Sequence, residues 1–512
     1  MKLRNWSVNL RWQRNRTMPP GLPGVCHRST RELAEAIRNI FLGLHARMQA
    51  AGVVKMFSHV LRATAVLLII MPAMAALAEQ RALLVGVGKY SIPGIDLPGI
   101  DLDLERMHDT LNLMGFDDSQ IHSLLDDKAT SKNIVREFEI WLKQGVKAED
   151  RVIFYFSGHG SNTPDLDGDE ADGVDEVLVT HDVRRVRRNG RASLSGVVTD
   201  DQLASLIAGI PSENVWIIVD ACHSGTVSRG VTMDNLTLGT DMVFVKSFTY
   251  TGMPEGKQFV FDREFQKDGE SNFVSISAAA DGEKAIGTSR GGVFTIGISK
   301  AIADAAKTGG AVTINQLRDY AAKYIRDHVD AVRVHNPQVN GSAALAAGTL
   351  KIIPVTAENG PNRKRLIKLV AEQQKEFAFE SSKITYVVDD PVEFTLEIPI
   401  DGYLNVVTVD SQDDALVLYP NRFNPENTVK QGTFRFPTDE ASFILPASEP
   451  VGPTLVAAFV TQDPINFRTQ TLDDRDEHGN VNVTFTMLSH TATRAIRVAP
   501  RKKEMYAEML EL

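Results

Sequence analysis

The 512-residue chain is expected to hold an α/β domain with a mostly parallel sheet, followed by an all-β domain. Three observations carry this expectation. Val152-Ile153-Phe154-Tyr155-Phe156 and Val215-Trp216-Ile217-Ile218-Val219 are wholly apolar runs, rich in β-branched and aromatic residues, that stop abruptly at small residues. Uninterrupted apolar runs of this length suit strands buried on both faces, as parallel strands are. Segments of helical periodicity alternate with them, and that alternation marks an α/β sandwich. Beyond residue 380 the chain changes to short alternating runs divided by Pro, Gly and Asp, the pattern of a sandwich or barrel.

In chain order, Arg81–Val87 reads as the first strand. Asp101–Met114 reads as an amphipathic helix, with Leu104, Met107, Leu111 and Met114 on one face and Gly115 at its end. Thr130–Gln144 is a second helix, burying Ile134, Phe138, Trp141 and Leu142, and leads to the strand that ends at Ser157. Asp200–Ala208 is a helix before the strand that ends at Asp220. Periodicity dissolves between Thr226 and Ser271 and resumes with a strand at Phe273–Ala278 and helices at Val293–Ala306 and Gln316–Val329. The basic run Asn362-Arg363-Lys364-Arg365 leads into a short helix. Strands are then expected at Thr385–Val388, Val392–Ile398, Tyr403–Asp410, Leu416–Leu418, Thr433–Phe436 and Leu455–Thr461. The divisions are a leader over 1–78, a first domain over 79–355 with a joint at 226–271, a linker over 356–380 and a β domain over 381–495.

The composition, 43% hydrophobic and 23% charged, is that of a globular protein. The formal net charge of −10 is uneven, because residues 1–55 carry ten Lys and Arg against Glu32 and Glu35. The body is therefore acidic, which argues against a nucleic-acid partner and fits basic substrates. Met56, Arg62, the apolar run Ala63–Met71 and the small-residue site Ala76-Leu77-Ala78 form the tripartite layout of a secretory signal peptide. The run is short for a membrane span. We expect translation to begin near Met56, cleavage after Ala78, and a secreted or periplasmic product without a stable span. The alternative is a cytoplasmic extension with an uncleaved anchor. Of the two cysteines, Cys26 precedes that cleavage point, so Cys222 would stand alone without a disulfide partner.

The chemistry-bearing residues lie where the apolar runs stop. One run ends in Ser157-Gly158-His159-Gly160, the other in Asp220-Ala221-Cys222-His223-Ser224-Gly225. Parallel strands deliver their carboxyl ends to a common edge, the usual place for a ligand crevice. An imidazole and a thiol would meet there, the minimum for a cysteine nucleophile with a histidine base. The alternative is a small buried core cysteine at a strand end. His223 follows the thiol and should point away from it on extended backbone.

These two motifs, with Leu97-Pro98-Gly99-Ile100-Asp101-Leu102-Asp103 upstream and Asn336-Pro337-Gln338 downstream, resemble the metacaspase branch of the caspase-like cysteine peptidases, and secreted bacterial members in particular. The resemblance implies a caspase-like three-layer sandwich and a monomeric endopeptidase with Cys222 as nucleophile and His159 as base. Backbone N–H groups of Gly160 and Cys222 would form the oxyanion hole. Asp103 and Asp220, with Ser157 at the wall, would line an acidic S1 pocket for Arg or Lys of peptide or protein substrates. For Asp103 the alternative is a carboxylate at a helix N-terminus. Ile100 and Leu102 stand where the family usually has Cys and Asn. Calcium is the implied cofactor, held by Asp175, Asp200 and Asp201, next to the acidic run Asp165–Glu176. A solvated loop and a helix N-terminal pair are the alternative. The family's fourth carboxylate falls at Arg229, with Asp234 as a substitute. The joint resembles the segment that such enzymes cut on activation, and Arg229, Lys246, Lys257, Arg263 and Lys267 are candidate sites. Asp401-Gly402-Tyr403-Leu404 and Leu418-Tyr419-Pro420-Asn421 resemble a β domain appended to secreted bacterial caspase-like proteins. The competing function is a catalytically silent binding or signalling module of the cell envelope with the same fold.

Overall fold

Apolar runs are buried on both faces where helices cover a parallel sheet, and a computed structural model of the protein has that arrangement. It describes residues 79–165, 173–222, 237–238, 241–254, 272–280, 282–330, 333–356, 359–373, 375–438, 441–470 and 505–512. The proposed leader over 1–78 lies outside them. Six strands form the central sheet: β1 (Gln80–Gly86), β2 (Ile121–Leu125), β3 (Arg151–Ser157), β4 (Asn214–Asp220), β5 (Phe273–Ser277) and β6 (Gln338–Gly341), in the order β6-β5-β4-β3-β1-β2. All neighbours are parallel except the edge pair β5 and β6. Chain order reverses between β1 and β3, and such a switch point opens a crevice at the carboxyl edge.

Helix α1 (Ile100–Leu113) packs with α4 (Val293–Thr308), which in turn packs with α5 (Ile314–His328). Their ends are coded locally: Gly309 closes α4 at φ 61°, and Thr313 and Gln316 form a reciprocal capping box for α5. Helix α2 (Ser131–Glu137), capped by Thr130, passes into a π-helical turn over Phe138–Lys143. Trp141 on that turn donates its indole N–H to the Ala82 carbonyl (3.0 Å). Helix α3 (Asp200–Ala208) starts where Thr199 accepts the Gln202 N–H (3.1 Å). Phe138, Phe154, Tyr155 and Phe156 are fully buried in the resulting core.

A long hairpin, Val174–Arg188 with Arg191–Thr199, was not anticipated from the sequence. Its outer half is arginine-rich, so it lacks the apolar signal of a buried strand. The turn was legible, because Asn189 (φ 49°) and Gly190 (φ 79°) are the Asn-Gly pair that a tight hairpin requires. Gly160–Pro164 pairs with this hairpin to make a three-stranded sheet beside the main one. The expectation of an irregular joint over 226–271 needs correction, because Thr237–Leu238 is a short strand paired with Asp241–Val245. Asp241–Val245 is a strand, antiparallel to Ile286–Thr288.

In the C-terminal region, strands Ala415–Tyr419, Gly402–Val409, Leu455–Thr461 and Met505–Glu511 lie side by side in one sheet. Phe379–Ser381, Phe394–Ile398 and Gly432–Phe436 form another. Leu396 and Ile398 of the smaller sheet share a core with Leu404, Val406 and Val460 of the larger. The opposite face of the larger sheet is covered by helix α6 (Pro361–Ala371), whose Leu366 and Leu369 pack with Val407, Ala457 and Phe459. The segment read as a linker thus contributes Leu366 and Leu369 to a core. Leu455–Thr461 is buried at every position, which explains its uniformly apolar sequence. Two expectations fail. Thr385–Val388 forms no strand and leaves Val387 72% exposed, because flanking turns divert it from the sheet. Met505–Glu511, beyond the expected boundary, pairs along the whole of Leu455–Thr461. No helix among the described residues is long and apolar enough to cross a membrane.

Because Leu366 is fully buried in that second core, Leu366→Ala should destabilise the C-terminal region by about 2–5 kcal/mol. Urea unfolding monitored in both regions would show an early transition confined to the β sheets. An unchanged transition would mean that α6 is a tether only.

Candidate active site

Strands β3 and β4 run in parallel register, with Ser157 opposite Asp220. Two residues further along each strand stand His159 and Cys222, so the register brings imidazole and thiol to one level of the carboxyl edge. The His159 Nε2 atom lies 2.8 Å from the Ile95 carbonyl oxygen. A carbonyl can only accept, so Nε2 carries the proton and Nδ1 is left as the base. Nδ1 is buried and has no hydrogen-bond partner. Tyr90, in the loop after β1, holds the residue from two sides. Its ring lies 5.1 Å from the imidazole, and its hydroxyl accepts the His159 backbone N–H (2.8 Å). Burial depresses the imidazole pKa to about 4. Cys222 is 2% exposed, and burial pushes its thiol up to about 12. The pair therefore rests as neutral imidazole and neutral thiol.

Across this edge runs a segment of the chain itself. Asp241–Val245 pairs with Ile286–Thr288, and the next residue, Lys246, donates its backbone N–H to the Ala285 carbonyl (3.1 Å). The Lys246 carbonyl accepts two N–H groups, from Gly160 (3.0 Å) and Cys222 (3.1 Å). Its side chain is fully buried, with Nζ 3.0 Å from Asp103 Oδ2, 2.9 Å from Asp220 Oδ2 and 2.9 Å from Ser157 Oγ. Three acceptors match the three protons of an ammonium group. Burial works against the charged lysine, but the two carboxylates outweigh it and hold its pKa above the ordinary value.

The pocket around Nζ is assembled from distant segments. Ser157 donates to Asp103 (2.8 Å), Thr295 donates to Asp220 (2.6 Å), and the Gly292 N–H reaches Asp103 Oδ1 (2.8 Å). A Cβ at Gly292 would lie 1.9 Å from Asp220 Oδ2, so only glycine closes this wall. Arg106 stands 3.8 Å from Asp103 Oδ1, a fixed second cation for two fully buried carboxylates. Burial raises the Asp103 pKa, with Lys246 opposing.

All three residues expected in an S1 pocket, Asp103, Ser157 and Asp220, are thus brought together, and Gly160 and Cys222 meet at the Lys246 carbonyl, with His159 next to Gly160 in the chain. Lys246, one candidate for a cut in an exposed loop, is instead buried in that pocket. Arg229, Lys257, Arg263, Lys267, Asp234 and His223 lie outside the described residues. Sequence reading missed Tyr90, Arg106, Ala285, Gly292 and Thr295. None sits in a motif, and only Arg106, on the inward face of α1 three residues after Asp103, left a signal.

The carboxylates expected to hold calcium form a looser group. Pairing of Val177 with Thr199 brings Asp175 and Glu176 to the same end of the hairpin as Asp200 and Asp201. Asp200 has a buried oxygen, Oδ1, without a hydrogen-bond partner, and burial raises its pKa. An orphaned carboxylate oxygen among further carboxylates fits a hard cation. Among the described residues, no group of three or more His, Cys, Asp or Glu is already arranged as a metal shell.

A family model described as caspase domain matches residues 79–340, and a domain of unknown function, DUF4384, matches residues 385–464. Metacaspase-1A of Aspergillus terreus is 33% identical over 157 residues, which are 29% of this chain and 36% of that protein. Metacaspase-1B of Aspergillus fumigatus is 33% identical over 161 residues, covering 30% of this chain and 37% of its own. The chain spans little more than a third of the length of these curated relatives. Among solved structures, a protein of Geobacter sulfurreducens aligns at 19% identity and TM-score 0.38, over 54% of this chain and 98% of that one. Caspase-1 of Spodoptera frugiperda aligns at 12% identity and TM-score 0.33, over 54% and 89%. With half of its length matched, from the first described strand to the last strand of the central sheet, the chain belongs to the caspase domain family.

Proposed function

We propose that the protein is a cysteine endopeptidase that cleaves peptide bonds after Lys or Arg, and that its own Lys246–Ser247 bond is a substrate. The observation that carries this reading is the seating of Lys246, with its carbonyl on two backbone donors and its ammonium between two buried aspartates. That is the posture a P1 residue needs for acyl transfer. Asp220 Oδ1 is buried without a hydrogen-bond partner and offers a further acceptor for the second nitrogen of an arginine.

In the reaction, His159 Nδ1 takes the Cys222 proton as sulfur attacks the P1 carbonyl carbon. The carbonyl oxygen becomes an oxyanion on the Gly160 and Cys222 N–H groups. The C–N bond then breaks, and the imidazolium returns its proton to the leaving amine. Water, deprotonated by the same imidazole, hydrolyses the thioester and frees the thiol. Latency follows from the same geometry, because the segment that presents Lys246 also covers the thiol and fills the pocket. Calcium is proposed as an activator, held by Asp175, Asp200 and Asp201. Bound there, it would neutralise these carboxylates and tie the start of α3 to the hairpin. A secreted or periplasmic, monomeric enzyme acting on proteins completes the proposal.

Fluorogenic peptides with Lys, Arg or Asp at P1, assayed with calcium and with chelator, test the specificity. Cleavage of the Lys and Arg peptides, abolished by Cys222→Ala, is expected. Asp cleavage would remove the acidic pocket from the mechanism, and silence from folded wild type would favour a binding module.

A neutral, covered thiol should alkylate slowly. At pH 7.5 iodoacetamide should label Cys222 in the native uncut chain at least about a hundredfold more slowly than in guanidinium. Comparable rates would show that the thiol is already ionised.

His159 and His335, both held near pKa 4 by burial, take up protons more readily in the unfolded chain. Their contribution is therefore intact above pH 6.5 and lost as pH falls towards 4, about 3 kcal/mol for each imidazole. Urea midpoints of Cys222→Ala across that window would reveal the slope, and a flat profile would deny buried neutral imidazoles.

For calcium, the readout is a melting temperature: the ion should stabilise Cys222→Ala and have no effect once Asp200→Ala is added. Equal shifts in both would place the ion elsewhere.

A further inference from the structure

Beyond Lys246 the segment does not leave the surface. Ser247 bridges in parallel to Gly160, and the Phe248 N–H donates to the Gly160 carbonyl (2.8 Å). Ser161 donates its hydroxyl to the Phe248 carbonyl (2.7 Å), so both backbone groups of Phe248 are held. Its side chain is only 3% exposed. The Arg185 guanidinium lies over the ring at 5.6 Å, the His159 imidazole stands 6.4 Å away, and the Tyr250 ring stacks at 6.1 Å. Tyr250 is also pinned, its hydroxyl donating to the Asn162 carbonyl (2.9 Å).

We infer that the protein has a built subsite for an aromatic side chain at the second position after the scissile bond (P2′), and so selects substrates with Lys or Arg before that bond and an aromatic residue two positions after it. The inference rests on the reading of Lys246–Ser247 as the scissile bond. Arg185, Gly160 and Ser161 belong to the hairpin and its neighbouring strand, outside the joint, so the subsite survives departure of the segment. It combines a cation over a π face with backbone pairing on both sides of the residue. A ring seated there also shields the imidazole from water on the side where the leaving amine forms.

Two assays separate this subsite from the scissile-bond reading itself. In the full chain with calcium, intact mass follows the cut between Lys246 and Ser247. Phe248→Ala should slow it about tenfold or more, from the lost aromatic burial. Phe248→Tyr should restore it, and Lys246→Ala should abolish it. In trans, the unmodified processed enzyme is given nonapeptides copying Met242–Tyr250 with Phe or Ala at the Phe248 position, and kcat/KM should fall by the same factor. Misfolding of a variant cannot mimic that second result. Equal rates for Phe and Ala, with the Lys246→Ala block intact, overturn the aromatic subsite alone. A wild-type chain that is cut elsewhere, or remains whole, overturns the scissile-bond reading and this inference with it.

Discussion

Two carboxylates, Asp103 and Asp220, are both removed entirely from water at the edge of the central sheet. Buried anions persist only where cations and hydrogen-bond donors compensate their lost hydration. Arg106 supplies one charge from within α1, and Lys246 supplies the other from a segment far along the chain. Much of the surrounding architecture follows from that requirement. The start of α1, the end of β4, Thr295 at the start of α4 and the glycine wall at Gly292 all converge on one point. With Lys246 present the cluster is neutral. Without it, one negative charge is left for another ammonium or guanidinium to meet, which is the physical basis of the basic specificity proposed above.

The proposed substrate posture and the proposed latency are two aspects of one contact. The segment that carries Lys246 reaches the site as a strand, places a carbonyl on two N–H donors and leaves along Gly160–Pro164. Burial of Cys222 and His159 excludes water from both, which keeps both members of the pair uncharged. An ion pair of thiolate and imidazolium would be more reactive, yet it would need solvent or a developing charge to sustain it. The resting pair is therefore uncharged while the Lys246 carbonyl already rests on two backbone N–H donors.

The C-terminal region is joined to this machinery through charge as well as through chain. Arg365 of α6 binds Glu105 (2.7 Å) and Asp109 (2.8 Å), both on α1, the helix that carries Asp103 and Arg106. Lys307 at the end of α4 reaches Asp414 (2.7 Å) in the β region. These pairs are partly exposed and individually weak. Their value is geometric, since they fix the β sheets against the two helices that close the acidic pocket.

How much of this could be read from the chain differs by element. The parallel strands were legible because burial on both faces demands uninterrupted apolar residues, as in Phe154–Phe156 and Ile217–Val219. The helices were legible from their period, with Gly115 marking the end of α1 and Thr130 the start of α2. The motifs at Ser157–Gly160 and Asp220–Cys222 located the imidazole and thiol, because a side chain at the end of a buried parallel strand has one place to go. The arginine-rich hairpin was hidden, since strands half open to solvent need no apolar run. The final strand, Met505–Glu511, was hidden because pairing to an edge is decided by the partner. Above all, a basic residue in a polar joint gave no sign of its destination. Nothing local distinguishes Lys246 from Lys257 or Arg263. Its role arises from long-range pairing of Asp241–Val245 with Ile286–Thr288 and from buried carboxylates that need a cation, and both exist only once the chain has folded.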